Sequence, residues 1–231
     1  MLPLRDNVPT RRFPLVTVAL ISANFVVWFW ELHARSSVVY RDSFYPCAVQ
    51  GPCLGPAANN HLPAWEGAFT SMFLHASWLH ILGNMLFLWI FGNNVEDALG
   101  RVKFLLWYLA AGLTATATQT FVTLHFAYAA AASVPNLGAS GAIAGVLGAY
   151  LLLLPTASVL TLVGFFIVPL PAFLFLGFWF LLQLWEAGFA VTHPAGGGGV
   201  AFFAHVGGFL FGAATVYLVA KRTPLGPYAR A

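Results

Sequence analysis

The sequence predicts an all-α membrane protein, a bundle of six spanning helices with a structured first outward loop, and three observations carry that expectation. Hydrophobic residues make up 60% of the 231 positions and charged residues only 7%, which is more apolar than a soluble core of this size requires. Six apolar stretches, at 13–32, 79–95, 104–126, 140–154, 160–184 and 200–220, approach the roughly 20 residues that a helix needs to cross the hydrocarbon. The third observation is the placement of Lys and Arg, which mark cytoplasmic flanks. Arg5, Arg11, Arg12, Arg101, Lys103, Lys221, Arg222 and Arg230 all fall on one side of such a bundle.

Taken in order, residues 1–12 form a cytoplasmic N-terminal segment, 13–220 the membrane domain, and 221–231 a cytoplasmic tail. The first stretch follows basic residues but lacks a convincing small-residue cleavage site, so a retained helix is expected and not a removed leader. The loop 33–78 contains "HLPAWEGAFTSMFLH", whose aromatic and apolar residues suit the membrane interface. Cys47 and Cys53 lie in this loop. They could close a short disulfide in an oxidising compartment, or stay as two thiols. The fourth stretch has 15 residues, about 22 Å of helix against a core of about 30 Å. Its Ser140 end should therefore stop below the outer surface, where the non-helical "SVPNLGA" must line a water-filled cavity or be buried in protein. Between the fifth and sixth stretches, "HPAGGGG" reads as a mobile connection over the outward mouth. The pI of about 9.1 reflects the topological bias and gives no reason to expect a nucleic-acid partner.

Among the polar residues inside the apolar stretches, four stand out: His80, Asn84, Ser140 and His205. Polar groups in a bilayer are expensive and point toward each other or a cavity. His80 and Asn84 are four apart and so share a helix face. Gly138, Gly141, Gly145 and Gly148 run beside Ser140, while Gly208 and Gly212 share a face with His205. Small residues let helix backbones approach closely, and close approach is what a serine needs to reach a histidine on another helix. A serine hydroxyl is a weak nucleophile until a base takes its proton. His205 is the candidate base, and His80, Asn84 and the Ser140 N–H are candidate donors to an oxyanion. Taken singly, each has a plainer reading: Ser140 back-bonding to its own helix, His205 and Asn84 as interhelical hydrogen bonders. Their joint occurrence at one depth favours the chemical one. No Asp or Glu within the apolar stretches is placed to orient His205, so a Ser-His dyad is expected.

These pieces together resemble the rhomboid family of intramembrane serine proteases. The resemblance rests on "HASWLHILGNMLFLWIFGNNVEDALG", on "GASG" around Ser140 and on "AHVGGFLFG" from Ala204. It implies a six-span rhomboid-like bundle in which Ser140 is the nucleophile, His205 its base, and His80, Asn84 and the Ser140 N–H the oxyanion hole. It also implies that His75, Glu96 and Gly100 are structural, as are Gly138, Gly141, Gly208 and Gly212. A lateral route between the second and fifth spans would have Phe178 and Trp179 as gate candidates. Family members cut transmembrane segments of other proteins in the bilayer without metal or organic cofactor, so the implied partners are single-span membrane proteins and lipid. The implied location is a bacterial inner membrane, with both termini cytoplasmic. Three departures stand out: Glu66 follows Trp65 where the family often has Arg, Ala144 replaces an aromatic one turn after the serine, and Val200 replaces a glycine.

Other classes fit less well. A zinc protease built on His75, His80 and His205 lacks HExxH, and a five-residue step does not align His75 with His80 on a helix. A transporter or channel would need inverted repeats, which are not seen. A hydrolase elbow, G-x-S-x-G, fails because Ala142 holds the last glycine position and the context is helical. A non-proteolytic membrane scaffold is the remaining alternative.

Overall fold

The computed structural model describes residues 1–55, 60–192 and 201–221. The glycine run of "HPAGGGG", Val200 and the tail beyond Lys221 lie outside them. The chain opens with strand β1 (Leu2–Asp6) and helix α1 (Leu15–Glu31). The first loop carries α2 (Ser36–Asp42), a 3-10 turn (Pro46–Ala48) and α3 (Ala64–Thr70). After a second 3-10 turn (Ser71–Phe73), helix α4 (Trp78–Phe87) passes through a π-helical turn (Leu88–Gly92) into α5 (Asn93–Leu99). Helix α6 (Arg101–Phe126), a short 3-10 segment (Ala129–Ser133) and α7 (Ser140–Leu153) follow. Two strands, β2 (Ser158–Val163) and β3 (Phe166–Pro171), then lead into α8 (Ala172–Thr192) and α9 (Phe202–Val219).

By length and composition, α8 and α9 suffice to cross a membrane, and segments 64–73 and 78–99 pass together although bent by 83°. Helix α7 is the centre of the packing. Residues Gly141–Tyr150 are buried without interruption, held between α6 and α9. The polar run of α6 is made tolerable by back-bonding, since Thr114, Thr118 and Thr120 donate to the carbonyls of Ala110, Thr114 and Thr116 at 2.7–2.9 Å.

Two expectations are corrected here. The fold is not all-α: β1, β2 and β3 form an antiparallel sheet in that order. The fifth apolar stretch, 160–184, is not one helix, because its first dozen residues belong to the hairpin and helix starts only at Ala172. Pro169 and Pro171 lack the N–H a helix interior requires, and Gly164 turns the hairpin at φ +61°. Val159, Val163, Ile167 and Val168 favour strand. A continuous apolar run does not by itself distinguish the two.

The sheet also gives residues 1–6 a fixed place. Asp6 accepts from Tyr150 Oη on α7 at 2.5 Å and from Asn94 Nδ2 on α5 at 2.8 Å. Burial pushes its carboxyl up from the usual 3.8 to about 6, against the lowering effect of the Tyr150 bond. Because the folded pKa is raised, this group favours folding below about pH 4, and that contribution is lost as pH rises to about 6. Replacing Asp6 by Asn should therefore flatten the melting temperature between pH 4 and pH 6.5 relative to the wild type. Identical slopes for the two proteins would show that Asp6 is not buried against Tyr150.

Candidate active site

Ser140 is the first residue of α7, and the segment before it is pinned from two sides. Phe44 and Asn136 exchange backbone hydrogen bonds of 3.1 and 2.8 Å, and the Gly138 N–H donates to Ser71 O at 2.8 Å. Gly138 has φ +121°, and a Cβ there would lie 2.8 Å from the His80 ring, so the chain can reach Ser140 by this path only with glycine. On the other side α9 lies directly on α7. A Cβ at Gly208 would collide with the Gly141 carbonyl, and one at Gly212 with the Gly145 carbonyl. Gly141 itself faces α6, where an added Cβ would sit 2.6 Å from that of Ala115.

This proximity delivers the contact. Ser140 Oγ lies 2.8 Å from His205 Nε2, and both residues are half-buried. The other ring nitrogen, Nδ1, lies 2.6 Å from Oε1 of Gln183 on α8, whose residue is only 7% exposed. The dyad expected from sequence thus has a third neighbour. It was missed because only carboxylates were sought as orienting groups, whereas an amide in an apolar helix was the available signal.

His80 and Asn84 border the same space. Ser77 caps α4 by accepting from the His80 N–H at 3.2 Å. His80 Nδ1 faces the Ala76 N–H at 3.4 Å, which leaves Nε2 as the protonated nitrogen. His75 faces Phe73 O with Nδ1 at 3.2 Å and Asn84 Nδ2 with Nε2 at 3.0 Å. The first contact requires Nδ1–H, so Nε2 accepts from Asn84 and occupies one of its two amide hydrogens. The His75 backbone N–H in turn donates to both carboxylate oxygens of Glu31, at 3.1 and 3.2 Å. A cavity of about 780 Å³ is lined by Glu31, His75, His80, Asn84, Ser140 and His205 among others. A hydroxyl beside an imidazole, with two further N–H donors on the same cavity, is what acyl transfer requires.

The supporting residues have visible tasks. Glu96 of α5 accepts from the N–H groups of Val16 and Thr17, at 3.1 and 2.7 Å, and from the Thr17 hydroxyl at 2.8 Å. It thus caps α1, which has no side-chain cap of its own. Gly100, at φ +81°, turns the chain from α5 into α6. Trp179 puts its ring centroid 5.9 Å from that of His205, so an aromatic from α8 stands near the imidazole while Ala144 is buried. Phe178 is 54% exposed on the outside of α8. Cys47 and Cys53 are joined by a disulfide, and Trp65 is 69% exposed. Among the described residues no three His, Cys, Asp or Glu side chains are grouped as a metal site.

Comparison with known proteins gives a match to the Rhomboid domain over residues 63–222. YdcA, a rhomboid-named protein of Bacillus subtilis (strain 168), is 34% identical over 142 residues, 61% of this chain and 63% of that protein. Rhomboid protein 1, mitochondrial, of Saccharomyces cerevisiae (strain ATCC 204508 / S288c) is 33% identical over 65% of this chain and 41% of its own length. Rhomboid protease GluP of Bacillus subtilis (strain 168) is 41% identical over 38% of this chain and 15% of its own. The chain therefore spans less than two thirds of the length of each of these relatives.

Proposed function

The chain belongs to the rhomboid family, and from that premise we propose that it is an intramembrane serine endopeptidase that cleaves transmembrane segments of other membrane proteins. The observation that carries the reading is the 2.8 Å contact of Ser140 Oγ with His205 Nε2 across two helices. In this reading Ser140 Oγ attacks the scissile carbonyl carbon while its proton passes to His205 Nε2. The carbonyl oxygen becomes an oxyanion, met by His80 Nε2–H, the free Asn84 Nδ2–H and the Ser140 N–H, which has no partner within its helix. His205 returns the proton to the leaving amine, the C–N bond breaks, and water admitted through the cavity hydrolyses the acyl-enzyme by the same steps. No metal or organic cofactor has a part in it.

Six spans with both termini cytoplasmic fit the basic flanks. They would set the cavity toward the outward side, with α1, α4–α5, α6, α7, α8 and α9 as the spans. Helix α8, carrying Phe178 and Trp179, would be the side from which a single-span substrate arrives. The deciding experiment is cleavage of a model single-span protein in proteoliposomes, comparing the wild type with Ser140→Ala. Cleavage by the wild type alone is expected. No cleavage by the wild type would favour a transporter or scaffold, and equal turnover by both would remove Ser140 as the nucleophile.

A further inference from the structure

We infer that Gln183 is a positioning residue for His205, the third member of a Ser140–His205–Gln183 relay. The inference rests on the protease reading for its consequence, but its physical basis is independent. An imidazole acts as a base toward a serine hydroxyl only if the nitrogen facing that hydroxyl is unprotonated. In neutral histidine one nitrogen carries the proton, and the hydrogen bond made by the other decides which. Here Nδ1 is 2.6 Å from an amide oxygen, an acceptor, and Nε2 is 2.8 Å from Ser140 Oγ. The proton must then sit on Nδ1, donated to Gln183 Oε1, which leaves the Nε2 lone pair for Ser140. Gln183 also keeps the ring from rotating about its bond to Cβ. Trp179 stands one turn earlier on the same helix, with its ring 5.9 Å from the imidazole, and closes that side by shape alone.

The choice of an amide has a physical reason. A carboxylate would stabilise the imidazolium more strongly, but an ionised group is expensive inside a membrane-spanning helix. A neutral acceptor fixes the tautomer without that penalty. Because Gln183 is on α8 while His205 and Ser140 are on α9 and α7, the base is oriented only while α8 is seated against α9. A displacement of α8 that lengthens the bond beyond about 3.5 Å removes it. The seating of α8 against α9 is thereby made part of the catalytic condition.

The test uses the full chain in detergent or nanodiscs, with Gln183→Met, which keeps length but removes the acceptor, and Gln183→Glu, which restores one. The wild type should show the Nδ1–H tautomer of His205 by ¹⁵N NMR, and Gln183→Met a mixture with Nε2–H. Labelling of Ser140 by a fluorophosphonate should slow about 10- to 100-fold in Gln183→Met, the scale of one lost buried hydrogen bond, and by more than any fall in melting temperature accounts for. Gln183→Glu should recover the rate on the alkaline side, with the acid limb of its pH profile moved to higher pH. A wild-type Nε2–H tautomer would overturn the inference, because Gln183 would then be donating its N–H. So would labelling of Gln183→Met within twofold of wild type, or a loss that follows a fallen melting temperature and is not recovered by Gln183→Glu. If wild-type Ser140 does not react at all, the protease reading fails, and the tautomer spectrum still decides the role of Gln183.

Discussion

Ser140→Ala and His205→Ala should each abolish cleavage, by about 10⁴-fold or more on the scale seen when a member of a nucleophile–base pair is removed. A fluorophosphonate should label the wild type at Ser140, and neither variant should react. The two losses should not add, because the hydroxyl without its base and the base without its hydroxyl are equally idle. His80→Ala and Asn84→Ala should behave differently. Each leaves the 2.8 Å Ser140–His205 contact in place but removes one donor to the oxyanion, a loss of about 3 kcal/mol, or 10² to 10³ in rate. The effect belongs to the chemical step, since the charge these donors meet exists only in the transition state. Asn84→Ala also strips His75 Nε2 of its donor, so its melting temperature should be measured beside its rate. A destabilised Asn84→Ala whose folded fraction retains full specific activity would make Asn84 interhelical glue and not an oxyanion donor.

Gly212→Ala should be among the most damaging single-methyl additions in the chain. The new Cβ would collide with the Gly145 carbonyl and lie 2.9 Å from the Gly145 Cα. Those atoms belong to a buried helix and cannot swing aside. Helix α9 must move away from α7, at about 3 kcal/mol or more by the scale of overpacked cores, and the melting temperature should fall accordingly. Activity should fall further than stability, because the same interface holds Ser140 against His205 and an error of about 1 Å in such a site costs about 10²-fold. Gly177→Ala is the control. Nothing lies within 4 Å of the added Cβ there, so the exchange should be neutral or stabilising by up to about 1 kcal/mol through helix propensity. If Gly212→Ala melts and cleaves like Gly177→Ala, the two helices are not in close contact.

What the sequence determined by itself was the part written in local chemistry. Long apolar stretches pointed to membrane helices, although the stretch 160–184 is helical only from Ala172, and Ser140, His80, Asn84 and His205 were conspicuous because polar side chains are costly among such neighbours. The glycine spacing on α7 and α9 announced a close helix contact, because few other features justify the lost helix propensity. The tertiary structure decided what depends on partners distant in the chain. Residues 160–171 read as helix because a strand with apolar residues on both faces has no alternation to detect, and only its pairing with Leu2–Asp6 identifies the sheet. Gln183 was one amide among many polar exceptions until α8 brought it to His205 across 22 positions. Glu31 likewise acquired a task only through the His75 N–H, 44 positions away. A side chain's cost of burial is a property of its type, legible in one dimension. The atom that offsets that cost is fixed by packing, and a hydrogen bond between two helices leaves no periodicity in either of them.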